Sequence, residues 1–184
     1  MATKSTMKNM AVCLTAVCLV CSALLAAVYA ITLDPIKEAA DKALKESVGK
    51  VLPQGGQLSE AATLEVDGAQ YEYYTLTQDG QAVAYAVKST VVGFGGPLTV
   101  MVGVLPDGTV YNTSVLEHSE TPGLGAKCQS DESFLSQFRG FKGALKVRKD
   151  GGDIDAITAS TITSRAYALA VAGAVNAVGR ISNE

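Results

Sequence analysis

Tryptophan is absent from this chain, histidine occurs once, and cysteine occurs four times. Without Trp one common platform for stacking bases is missing, and a net charge of −3 is opposite to the basic profile that phosphate-backbone recognition demands. Nucleic acid is therefore excluded as the expected partner. The lone His118 beside Glu120 makes a weak case for a general base and a weaker one for a metal site. Cys13, Cys18 and Cys21 all sit in the first apolar run, which leaves Cys128 by itself in the remainder. No disulfide pair and no Cys-based zinc or iron–sulfur site can then be built outside that run. The Cys18-x-x-Cys21 spacing reads as incidental packing of small residues; the other reading is a membrane-embedded thiol that binds iron or pairs with a neighbour. Val20 is large where a lipid-attachment signal calls for Gly or Ala, which argues against lipidation at Cys21.

What the chain has is one long apolar stretch and a domain-sized remainder. From Met10 to Ile31 the hydroxyls of Thr15 and Ser22 are the main polar interruptions. At about 1.5 Å per residue this helix spans roughly 33 Å, enough to cross a bilayer core. Lys4 and Lys8 precede it, and Asp34, Glu38 and Asp41 follow. That asymmetry predicts a cytoplasmic N-terminus (residues 1–9), a membrane helix (10–31) and an extracytoplasmic remainder in a cytoplasmic or inner membrane. A cleaved signal peptide ending near Val28-Tyr29-Ala30 is the rival, but the run exceeds the usual apolar core of such peptides.

Asp34-Pro35 predicts a cap and a new helix start, and Ile36, Ala40, Leu44 and Val48 recur at fourfold spacing up to about Val51. Residues 32–56 therefore read as an amphipathic connecting helix and linker, closed by Pro53-Gln-Gly-Gly56. Residues 57–184 carry β-rich runs at Thr63–Val66, Tyr71–Leu76, Ala82–Val92, Leu98–Leu105 and Thr109–Leu116. Gln78-Asp79-Gly80 and Pro106-Asp-Gly108 mark turns between them. Two strands alone are marginal, so the runs predict an antiparallel sheet covered by helices, an α+β class. Tyr71, Tyr73, Tyr74 and Tyr85 read as strand packing, and Gly93-Phe-Gly-Gly96 as a permissive bend lacking the dinucleotide-binding pattern. A short helix is expected near Ser133–Phe138.

The most chemically suggestive stretch is Asp155-Ala-Ile-Thr-Ala-Ser-Thr161-Ile-Thr-Ser-Arg165, a hydroxyl-rich turn ahead of an Ala-rich helix. Backbone N–H groups and hydroxyls at a helix N-terminus suit a phosphate, although an ordinary cap has the same composition. The stretch resembles the flavinylation motif of the RnfG/NqrC family, with Asp155 as the motif acid, Thr158 as the first hydroxyl and Thr161 as the flavin-bearing threonine. Ala159 and Ser160 stand where that family usually has Gly and Ala. Ala159 is the more consequential departure, because Gly accepts a positive φ that Ala resists. His118-Ser-Glu-Thr-Pro-Gly-Leu-Gly125 is similar to a second loop of the family and reads as part of a flavin pocket or of a partner surface.

The resemblance implies a membrane-anchored electron-relay subunit in an Rnf-type complex, in which other subunits oxidise ferredoxin, reduce NAD⁺ and move Na⁺ or H⁺. It implies FMN joined through its phosphate to Thr161 by a separate, metal-dependent flavin transferase that uses FAD. Asp155, Thr158, Ser160, Thr163, His118, Glu120, Thr121, Gly123 and Leu124 are then the candidate residues around the cofactor, with no catalytic residue and no metal site in this chain. Arg139, Lys142, Lys146, Arg148 and Lys149 are available to a flavin phosphate or an acidic partner, with a solvated face as the plain alternative. A flavin carrier resembling the C subunit of a Na⁺-translocating NADH:quinone reductase is the near alternative, and an unmodified membrane-tethered interaction module the distant one.

Overall fold

The computed structural model describes residues 6–182, so Lys4, invoked above for orientation, lies outside the described residues. The chain divides into two compact units after Ala43. Helix α1 (Met7–Val51) runs through the first as far as Ala43 and its last turns belong to the second; its apolar part is long and apolar enough to cross a membrane and is exposed.

The expected helix start at Asp34-Pro35 is not seen: α1 runs through, with Pro35 inside it. A proline in a helix interior costs about 3 kcal/mol by removing one donor and crowding the preceding turn. Here strong helix formers lie on both sides, and breaking the helix would leave a whole turn of backbone groups unpaired. The stripe predicted from Ile36 onward is used only towards its end. Ile36 is 63 % exposed, whereas Val48 and Val51 are buried and Leu44 packs beside them.

The second unit is built on six antiparallel strands: β1 (Gln57–Leu58), β2 (Ala62–Val66), β3 (Ala69–Gln78), β4 (Gln81–Val92), β5 (Pro97–Val104) and β6 (Val110–His118). From β2 to β6 each strand pairs with the next, as short connections favour; β1 shares the outer edge of β3 with β2. Two tight turns, Asp67-Gly68 and Asp79-Gly80, have positive φ at both residues. That conformation matches the strand twist and makes Asp-Gly a strong hairpin signal. Between β5 and β6, Asp107 accepts hydrogen bonds from the Thr109 backbone N–H and hydroxyl at 3.0 and 2.8 Å. These bonds, with Lys142, hold its carboxyl down to about 2.

Strand alternation sends side chains to two different covers. Tyr85 and Val87 of β4 and Leu98, Val100, Val102 and Val104 of β5 face helix α3 (Thr161–Ile181). Each such aliphatic side chain contributes about 1.5–3 kcal/mol by leaving water. Ala166, Ala170 and Ala174 recur along the buried side of α3 and let it lie close, while Tyr167 stacks edge-on against Phe134 with centroids 5.2 Å apart. Ala84 and Ala86 of β4 and Met101 of β5 instead face Val48, Val51 and Leu52 at the end of α1. There a Cβ on Gly103 would come within 1.7 Å of the Val51 carbonyl oxygen, so only glycine admits the helix end. The expected short helix is α2 (Glu132–Leu135), capped by Asp131 and continued by a 3-10 turn over Ser136–Phe138.

Candidate flavin site

Thr161 is the first residue of α3, and everything around it derives from how that helix begins. The backbone reaches it through Ala159 at φ +60° and Ser160 at φ −135°. The left-handed residue turns the chain sharply, a conformation that glycine would adopt without a Cβ penalty. Ser160 makes no side-chain capping bond, so the first N–H groups of α3 are left without a side-chain acceptor. With the positive end of the helix dipole, they form a phosphate-ready terminus.

Three polar side chains, two of them distant in sequence, hold the approach to Thr161. Gln137 grips Asp155 by its backbone, accepting from its N–H at 2.7 Å and donating to its carbonyl at 3.2 Å. The buried Ser164 hydroxyl accepts from the Ile157 N–H at 2.9 Å and donates to the Ser160 carbonyl at 2.9 Å. Glu120, only 5 % exposed, accepts from the Phe94 N–H at 2.7 Å through Oε1 and from the Thr163 hydroxyl at 2.8 Å through Oε2. It thereby ties the β4–β5 connection, the loop after β6 and the first turn of α3 into one frame.

Two hollows flank Thr161, and it lines both. One, of about 340 Å³, is walled by Phe94, Leu124 and Ile162, floored by Glu120 and Thr163, and completed by Thr121, Gly125, Ala159 and Ser160. The other, of about 520 Å³, is bordered by Arg148, Lys149, Asp155, Thr158 and Ala159. Arg148 grips Asp155 in a two-pronged ion pair at 2.8 and 3.0 Å. Asp150, in the same turn, pairs with Arg165 of α3, whose guanidinium hydrogen bonds hold the Asp150 carboxyl below the usual carboxylate range.

The candidate residues thus fall into three groups. Thr161, Ser160, Thr163, Glu120, Thr121 and Leu124 meet around the apolar hollow, and Asp155 and Thr158 belong to the charged one. His118 and Gly123 line neither. The His118 ring accepts from the Glu120 N–H at Nδ1 (3.2 Å) and sits 3.1 Å from Gln129 Oε1 at Nε2, an arrangement that braces the loop. Of the basic run, Arg148 and Lys149 reach the site, whereas Arg139 pairs with Glu132 and Lys142 with Asp107. Phe94, Ile162, Gln137 and Ser164 were not singled out from the sequence. Only Phe94, an exposed aromatic between glycines, carried a local signal of being more than packing.

The donor set fits FMN. An uncapped helix terminus and two cations suit the phosphate, and an apolar recess lined by Phe94, Leu124 and Ile162 suits a flat aromatic ring system. Fold and site together define an FMN-binding domain carried on a helix able to cross a membrane. The family described as the FMN-binding domain matches residues 93–176, and the one described as the RnfG N-terminal region matches residues 1–51.

The chain is 35 % identical to the G subunit of the ion-translocating oxidoreductase complex of Vibrio cholerae serotype O1, over 88 % of this chain and 85 % of that one. It is 34 % identical to the G subunit of the proton-translocating ferredoxin:NAD(+) oxidoreductase complex of Clostridium ljungdahlii, over 90 % and 88 %. It belongs to the RnfG family, the G subunits of such complexes. Among solved structures it is similar to the C subunit of the Na⁺-translocating NADH-quinone reductase of Parabacteroides distasonis, at 27 % identity and a TM-score of 0.50, over 62 % of this chain and 64 % of that one.

Proposed function

We propose that this chain is the membrane-anchored flavin subunit of an Rnf-type complex, relaying electrons while the complex transfers them from ferredoxin to NAD⁺ and moves Na⁺ or H⁺. Residues 10–31 anchor it as a single pass with the N-terminus in the cytoplasm, and residues 57–184 form the FMN-binding domain outside. The other subunits of the complex are its partners, and a flavin transferase loads it. Membership of the RnfG family and the 35 % identity over 88 % of the chain support the Rnf reading above the quinone-reductase one.

FMN, when bound, supplies one- and two-electron redox chemistry. We place its covalent attachment at Thr161, through a phosphate ester on Oγ1. The observation that carries this is the position of Thr161: half-buried, first in α3, and shared by an apolar and a cationic hollow. Arg148, Lys149 and the free N–H groups of α3 then hold the phosphate, with Thr158 and Ser160 as further hydroxyl donors. Phe94, Leu124 and Ile162 would shield the ring system from water, and Thr121 and Glu120 would supply the polar part of the same hollow. Asp155 marks the site for the transferase while its pairing with Arg148 keeps the loop extended. His118 and Gly123 shape the loop that carries Thr121 and Leu124.

Intact mass of the chain, purified from cells with an active flavin transferase, gives the test. The expected result is one FMN adduct that maps to Thr161 and disappears in Thr161→Ala. An unmodified wild-type chain from such cells overturns the assignment.

A further inference from the structure

The hollow beside Thr161 is electrically one-sided. Of the residues that line it, Glu120 alone is charged; the cations Arg148 and Lys149 border the other hollow. Glu120 is also the buried member, at 5 % exposure, so water screens it poorly. Both of its carboxylate oxygens accept hydrogen bonds. One oxygen takes the N–H of Phe94 at 2.7 Å and, more weakly, that of Gly95 at 3.4 Å. The other takes the hydroxyl of Thr163 in the first turn of α3. A Cβ on Gly93 or Gly125 would come within 2.1 or 2.4 Å of these oxygens, so two glycines clear the space for the side chain. Its field reaches its neighbours: burial, with the charge of Glu120 as the second cause, pushes the Cys128 thiol up to about 11.

A strut alone does not need a charge. The same three-way tie could be made by a neutral amide, with its oxygen on Phe94 N–H and its NH₂ on the Thr163 hydroxyl, which can accept as well as donate. The carboxylate adds a negative potential at the floor of the hollow, and it also cancels part of the positive end of α3, which otherwise points into the same space.

We propose that Glu120 lowers the reduction potential of the flavin seated in this hollow, acting as an electrostatic positioning residue that makes the cofactor a stronger electron donor. The inference rests on the proposed FMN site. Reduction adds electrons and leaves negative charge on the ring system, so a fixed, poorly screened anion beside it disfavours the reduced form.

The test is redox titration of the full-length, flavin-loaded protein in detergent, comparing wild type with Glu120→Gln and reading flavin absorbance against potential. Covalent loading is checked by intact mass. Glu120→Gln keeps the size and the hydrogen-bonding capacity of the strut, so we expect loading to persist and the midpoint potential to move to a less negative value. Glu120→Asp keeps the charge and is expected to stay close to the wild-type potential, which separates loss of the charge from loss of the strut. A loaded Glu120→Gln with the wild-type potential overturns the inference and leaves the FMN site standing; a Glu120→Gln that does not load overturns it too, because the carboxylate then serves attachment. A wild-type chain with no covalent flavin overturns the site itself.

Discussion

The two faces of the sheet bury comparable kinds of side chain and do different work. The face under α3 carries the larger core, including Tyr167, Phe134, Phe138 and the aligned valines of β5, and at one end of that core α3 begins at Thr161. The opposite face is a small patch of Ala84, Ala86, Leu76 and Met101, against which the last turns of α1 rest. No member of either hollow at Thr161 lies in that patch. The seat of the helix end and the proposed FMN site thus lie on opposite sides of one sheet and should be separable by mutation.

Gly103→Val is the largest expected break. A side chain there meets the Val51 carbonyl, and overpacking of this kind costs about 3 kcal/mol. Thermal unfolding followed by circular dichroism should show that loss, while mass spectrometry shows Thr161 still modified. Ser164→Ala should do the reverse. It strands the Ile157 N–H in the interior at a cost of about 2 kcal/mol, and the greater consequence is a loosened motif and slowed flavin loading in a time course with the transferase. Retained loading kinetics in Ser164→Ala, or lost loading in Gly103→Val, would dissolve the contrast between the faces.

The α3 side is also expected to be the alkali-sensitive one. Cys128 is buried in that core with its thiol raised from 9.0 to about 11. The folded state favours the neutral thiol, so this contribution is complete below pH 9 and declines as pH rises towards 11. At pH 10 the loss is about 1 kcal/mol, and it should vanish in Cys128→Ala when denaturant midpoints are compared across pH. The smallest effect is a gain. Ala159→Gly relieves the left-handed backbone, and after the greater freedom of glycine in the unfolded chain is counted, a few tenths to about 1 kcal/mol of added stability should appear in the same assay.

Local chemistry made much of this readable. The Asp-Gly turns at 79–80 and 107–108, with alternating residues on either side, announced the hairpins, and the small residues after Thr161 announced α3. The motif departure at Ala159 also had structural content, since that residue does adopt the positive φ that favours glycine. What stayed hidden depends on residues brought together from far along the chain. Glu120 reaches Phe94 and Thr163 across 26 and 43 positions, and Gln137 reaches Asp155 across 18. No periodicity encodes such ties. Pro35 misled for a related reason: its local preference for a helix start yields to helix formers on both sides, and β1 is too short to leave a pattern.

The seating of Val51 over Gly103 has a mechanical side. β5 is an interior strand, hydrogen-bonded along its length to β4 and β6. A pull on the end of α1 is met first by this seat on an interior strand, and reaches the two-residue edge strand β1, to which the chain leads, only after the seat has given way. A domain joined in this way tolerates tugging by its tether, and under load the tether's own grip should yield before the sheet does.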